Sequence, residues 1–181
     1  MTIRTRLVIA AATITFTIAT IAYATPIVGL LVGTILSSGT INDEIRVRVK
    51  VPIPETDAVN PTQKGDHDRD DEWTAKLYTS GPTNFVVQDV VYAPGGHTGW
   101  HSHPGILLSS VISGSIEWYD SQCNKHVYNP GDSLTESTEP HYVRNVGAEN
   151  AHFMVTYVIA NGQPRRIDQP APECAAALGL E

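Results

Sequence analysis

The stretch 94–114, PGGHTGWHSHPGILLSSVISG, constrains this chain more than any other. It sets His101 and His103 one residue apart in a run punctuated by glycine and proline. Side chains at i and i+2 of a β-strand share a face, so the two imidazoles point to one place. Two converging nitrogens inside a closed β-structure suit a transition metal. A third histidine, His141, follows in the segment PHYVRNVG. The expectation is a small β-barrel with a metal-ligating centre.

The surrounding segments agree with a β-fold. Residues 85–92 (FVVQDVVY), 106–112 (ILLSSVI), 115–119 (SIEWY), 126–128 (HVY), 141–144 (HYVR) and 153–159 (FMVTYVI) are rich in β-branched and aromatic residues. Turns built on Gly, Pro, Asn and Asp separate them. Many short strands parted in this way define an all-β barrel or sandwich. No interior segment carries a helical apolar period, and no internal repeat is present. Residues 45–51 (IRVRVKV) alternate, the pattern of a half-buried strand with Arg46, Arg48 and Lys50 on the wet face. From 55 to 73 the chain turns polar and reads as a loop. Its DHDRDD run lacks the glycine and spacing of a calcium loop and reads as solvated charge. The tail after Gly162 is proline-rich and reads as irregular up to Cys174. The division expected is 1–24 as a leader, 25–83 as a strand and acidic loop, 84–160 as the barrel and 161–181 as a tail.

These residues resemble the cupin superfamily. Gly95, His101, His103 and Gly114 fall at the Gly, His-x-His and Gly positions of its first motif, and the Glu position is Leu107. Gly131, His141 and Asn145 match the second motif, with the Gly-to-His interval one residue short. The Pro and Gly inside that motif are replaced within Glu136, Ser137, Thr138 and Glu139. The resemblance spans 84–159. It implies a single double-stranded β-helix (jelly-roll) barrel and a divalent transition metal held by His101, His103 and His141, with one usual ligand lost at Leu107. Three neutral imidazoles leave such an ion its full charge, which draws anions and keeps coordination positions open. The set is similar to that of variant cupins that oxidise thiols or cleave diketones with ferrous iron and dioxygen. Imidazole accepts iron, manganese, zinc, copper and nickel alike, so the donors do not name the metal. A small-molecule oxygenase is one expectation. A non-catalytic module for a metal or small ligand, and a sugar-type isomerase, are the alternatives, since fold does not fix function. The resemblance also implies a homodimer.

Around the histidines, His97 shares the odd parity of His101 and His103, so an unbroken strand aims it inward too. A bulge among Gly95, Gly96 and Gly99 would turn it to the rim. Tyr92, Gln88 and Leu107 are the further candidates for the pocket. Trp100, Trp118, Tyr142 and Tyr157 are further candidates for the pocket, although aromatics in a barrel are more often plain core.

Composition limits the partners. The net charge is −7 over 181 residues and no basic stripe is present, which argues against nucleic acid and leaves a small molecule as the expected partner. At the N-terminus, Arg4 and Arg6 precede the apolar stretch 7–23, and Ala22-Tyr23-Ala24 is a small-x-small cleavage site. This is the pattern of a secretory signal peptide, giving a secreted or extracytoplasmic protein. The alternative is a membrane anchor, because charge stays absent up to Asn42 and a bilayer needs about 20 apolar residues. Pro26, Gly29 and Gly33 weaken one continuous helix there. Cys123 and Cys174 are the only cysteines. In an oxidising compartment they pair most simply as one disulfide that ties the tail to a hairpin.

Overall fold

The computed structural model describes residues 24–52 and 72–181. The leader expectation and the acidic run, with His67, lie outside the described residues. The elements run β1 (Val28–Ile41), β2 (Arg46–Pro52), β3 (Glu72–Tyr78), β4 (Thr83–His97), β5 (His101–Ser102), β6 (Gly105–Ser113) and β7 (Ile116–Tyr119). They continue with β8 (Lys125–Tyr128), β9 (Ser133–Glu136), β10 (Tyr142–Asn145), β11 (Ala151–Ala160), β12 (Ile167–Asp168) and α1 (Glu173–Leu178).

One antiparallel sheet, ordered β8-β7-β10-β4-β11-β6-β9 with β1 laid along β4, curls into a nearly closed jelly-roll barrel. Period-2 alternation builds its interior. Val86, Val90 and Tyr92 point inward from β4, Leu107 and Val111 from β6, and Phe153, Val155, Tyr157 and Ile159 from β11. Fully burying each such aliphatic side chain contributes about 1.5–3 kcal/mol.

A second apolar cluster lies on the outside of β7 and β10. Trp100, Tyr119 and Tyr142 pack there against Ala175 and Leu180 of the tail. The Trp100 indole donates to the Leu180 carbonyl at 2.7 Å. Gly179 ends α1 in the left-handed region, at φ 63°. The tail is therefore more ordered than its proline content suggests. It adds β12 to β5, and then α1 to the outer cluster. A Cys123–Cys174 disulfide fixes it across a separation of 51 residues. Closing a loop of that length stabilises the fold by about 4 kcal/mol in the chain-entropy account.

Two expectations need correction. The apolar run 27–36 does not continue a membrane helix. It enters β1, which pairs with β4 from Ile41↔Thr83 to Val28↔His97. A short apolar run cannot by itself distinguish strand from buried helix, and the long partner strand decides it. No helix among the described residues is long and apolar enough to cross a membrane. The second correction concerns β2, which is exposed on both faces rather than half-buried. Its partner is β3, which takes in Glu72 and Trp73 from the end of the expected loop.

Candidate metal centre

The approach to the site turns on Gly99. Even-numbered residues of β4 face the barrel interior, and Thr98 still lines the pocket. Gly99 then adopts φ +69°. A Cβ there would lie 2.2 Å from the Thr25 carbonyl oxygen, so the close crossing requires glycine. Beyond it Trp100 enters the outer cluster, and the frame has changed: His101 and His103 now face inward. His97 obeys the earlier frame and points out. It stacks on Tyr142 with ring centroids 5.2 Å apart, in a groove shared with Arg144 and Gly179. Its odd parity with His101 was misleading because parity does not survive the glycine.

β5 is held on both edges. On one side His101 and His141 exchange backbone hydrogen bonds at 3.0 and 2.8 Å. On the other, β12 pairs Ile167↔Ser102 and Asp168↔His101. The three imidazole centroids lie 4.3–5.0 Å apart. Each ring is oriented by a carbonyl oxygen at its Nδ1: Gly99 at 3.0 Å for His101, Arg165 at 2.6 Å for His103 and Glu139 at 2.8 Å for His141. A carbonyl only accepts, so Nδ1 carries the proton and Nε2 keeps its lone pair. Second-shell carbonyls of this kind commonly orient metal-binding histidines.

The fourth member of the cluster is Glu136. One donor atom each from His101, His103, Glu136 and His141 lies within 4.8 Å of all the others. The sequence reading expected three histidines with the carboxylate lost at Leu107. Leu107 does face the pocket, only 2 % exposed. Its cross-strand partner on β9, however, is Glu136. Directly opposed residues have Cβ atoms about 4.5–5.5 Å apart, so the neighbouring strand delivers a carboxylate to the same region. Glu136 Oε1 accepts a hydrogen bond from the Trp118 indole at 2.9 Å. Oε2 lies 3.2 Å from His103 Nε2 and 3.3 Å from His141 Nε2. These contacts miss hydrogen-bond geometry, and both nitrogens stay buried without a partner. Buried orphan lone pairs facing an enclosed carboxylate are costly unless a cation joins them. Three imidazoles and one carboxylate suit iron, manganese, zinc, copper or nickel.

The electrostatics point the same way. Burial pushes His101 well below its ordinary value, and His141 and Arg166 add to the shift. Burial also opposes ionisation of Glu136, yet the adjacent His141 and His103 hold its carboxyl well below the carboxylate range. Burial disfavours a charged His141, but Glu136 and the Glu139 carbonyl outweigh it and raise its pKa. An ionised carboxylate among imidazoles is a site built to receive positive charge.

Above this cluster a cavity of about 280 Å³ opens. Its walls are largely Val90, Leu134, Val143, Phe153 and Val155, with Gln88, Tyr92 and Tyr157 as polar points. The Tyr157 hydroxyl donates to Gln88 Oε1 at 3.0 Å. Burial lifts both Tyr92 and Tyr157 to about 12. Trp118 stacks on His141, while Trp100 and Tyr142 belong to the outer cluster. Asn145 is structural: its amide donates to the carbonyls of Tyr92 and Glu149 at 3.1 and 2.8 Å. Sequence reasoning missed Glu136. For Glu136 the available signal was its place in the rewritten second motif, five residues before His141.

Residues 88–157 match the family profile described as the cupin domain, and the barrel belongs to the cupin superfamily. No curated protein matches the chain. Among solved structures it is similar to an uncharacterised protein with a double-stranded β-helix domain from Klebsiella pneumoniae, at 23 % identity and TM-score 0.41, covering 47 % of this chain and 75 % of that one. It is also similar to a DMSP lyase from Ruegeria pomeroyi, at 19 % identity and TM-score 0.42, covering 49 % of this chain and 44 % of the lyase. A cupin domain from Bordetella pertussis aligns at 23 % identity and TM-score 0.38, over 42 % of this chain and 82 % of that one.

Proposed function

We propose that this chain is an exported cupin that holds one divalent transition metal on His101, His103, Glu136 and His141 and acts on a small molecule in the barrel. The observation that carries the reading is the convergence of those four donors, with each imidazole locked by a carbonyl at Nδ1. A bound metal supplies Lewis-acid or redox chemistry at the floor of the cavity. The chain's own residues do the rest. Glu136 contributes the one negative charge, steadied by Trp118. The apolar walls exclude water, which strengthens every electrostatic interaction within.

Small-molecule oxygenation is the reaction class we favour, because three imidazoles and a carboxylate accept iron and the cavity above them admits a small substrate. Export rests on the arginine-led apolar leader and the Ala22-Tyr23-Ala24 site. The Cys123–Cys174 pairing supports it, since disulfides persist in oxidising compartments.

The test is elemental mass spectrometry of protein purified from the extracytoplasmic fraction, beside His101→Ala and His103→Ala. About one equivalent of a transition metal is expected in the parent, lost in both variants while circular dichroism stays unchanged. Full metal in both variants would overturn the site. Recovery of the chain only from the cytosol would overturn export.

A further inference from the structure

Resting on the reading of the barrel as a metal-bearing pocket, we infer that this pocket selects small monoanions, carboxylates above all, and that Arg166 receives the anionic end. Arg166 sits on the strap that leaves β11 and becomes β12. Its side chain is 22 % exposed and lines the cavity. Nε donates to Asp168 Oδ1 at 2.6 Å, on the solvent side. Nη2 is buried and has no partner. A guanidinium is always charged and offers five donors in a rigid fork. A buried, unpaired donor on such a group marks a place where an acceptor is missing. The positive charge reaches Tyr92, Tyr157, His101 and His141, all at or around the cavity.

Charge accounting gives the ligand's sign. A divalent ion on three neutral imidazoles and one carboxylate leaves a single positive charge. Arg166, paired with Asp168 through Nε only, adds positive potential felt at His101 and His141, and Arg165 lines the same cavity. The remaining walls are largely valine, leucine and phenylalanine. A ligand that fits this lining is small, apolar in its body and negative at one end. The volume of about 280 Å³ lies just below the roughly 300–1,000 Å³ usual for ligand sites, which limits the ligand to a small molecule. A carboxylate matches the planar fork of one guanidinium. A phosphate dianion brings a second charge that the apolar walls penalise.

The probes are butyrate, hexanoate and benzoate, each against its matched alcohol, titrated by calorimetry into protein as purified and after zinc reconstitution. Expected is at least about tenfold tighter binding of the carboxylates, on the scale of one charge-assisted hydrogen bond. Arg166→Gln should abolish that preference and leave the metal stoichiometry at the parental value. Arg166→Lys, which keeps charge without the fork, should retain part of it and carries the test if the glutamine variant misfolds. No preference in the parent, or an undiminished one in folded Arg166→Gln, would overturn the inference. Inorganic phosphate binding more tightly than every carboxylate would overturn the ligand class. Carboxylate preference in a chain that binds no metal would sink the metal reading alone. Normal metal loading without the preference would sink this inference alone.

Discussion

The charged group most open to a quantitative test is Glu117, on the outer face of β7. Its carboxylate accepts from the Tyr119 hydroxyl at 2.6 Å, Arg144 Nε at 2.8 Å and Lys125 Nζ at 2.9 Å. Burial alone would raise its pKa, but these hydrogen bonds outweigh that and hold it at about 2 rather than the ordinary 4.5. At 1.36 kcal/mol per pKa unit, the difference corresponds to about 3 kcal/mol. Lys125 and Arg144 remain partly exposed, and solvent screening brings the figure to about 2 kcal/mol. Because folding lowers this pKa, the contribution is complete above 4.5 and is lost as the pH falls toward 2. Glu117→Gln should therefore lower the unfolding free energy by about 2 kcal/mol at pH 7, and by less than half of that at pH 3. Urea titrations of both proteins in chelator at the two pH values measure it. An equal difference at both would refute the ionic origin. A difference below about 0.5 kcal/mol at pH 7 would reduce the network to an ordinary surface one.

The carboxylate of the metal centre should be portable across the strand pair. Glu136→Leu is expected to lose stoichiometric metal, and adding Leu107→Glu should restore it, because the two positions face each other in register. Elemental analysis that finds no recovery would show that they address different points. Cys174→Ser should cost about 4 kcal/mol of unfolding free energy, read by urea titration without reductant. An unchanged midpoint would mean that the bond does not form.

What was legible in the sequence was what depends on neighbours along the chain. Alternation and glycine or proline turns mark the strands of the barrel. His101 and His103 are visible as a pair because one residue separates them. Glu136 is invisible to that logic, since only the register of β6 on β9 brings it opposite Leu107. His97 fails for a related reason: parity counts alternation, and the left-handed turn at Gly99 resets the count. Arg166 sits in a stretch whose composition promises no regular structure, and it gains its position only where β12 docks on β5. The apolar run before Asn42 is ambiguous on its own, because strand and bilayer helix both accept it until a partner strand is known.

The strap couples two distant parts of the chain. Its Arg165 carbonyl orients His103 from 62 residues further on, and the tail that follows it is fastened to Cys123 through Cys174. The alignment of one candidate ligand therefore depends on a segment outside the barrel sheet, held by a covalent bond on the far side of the tail.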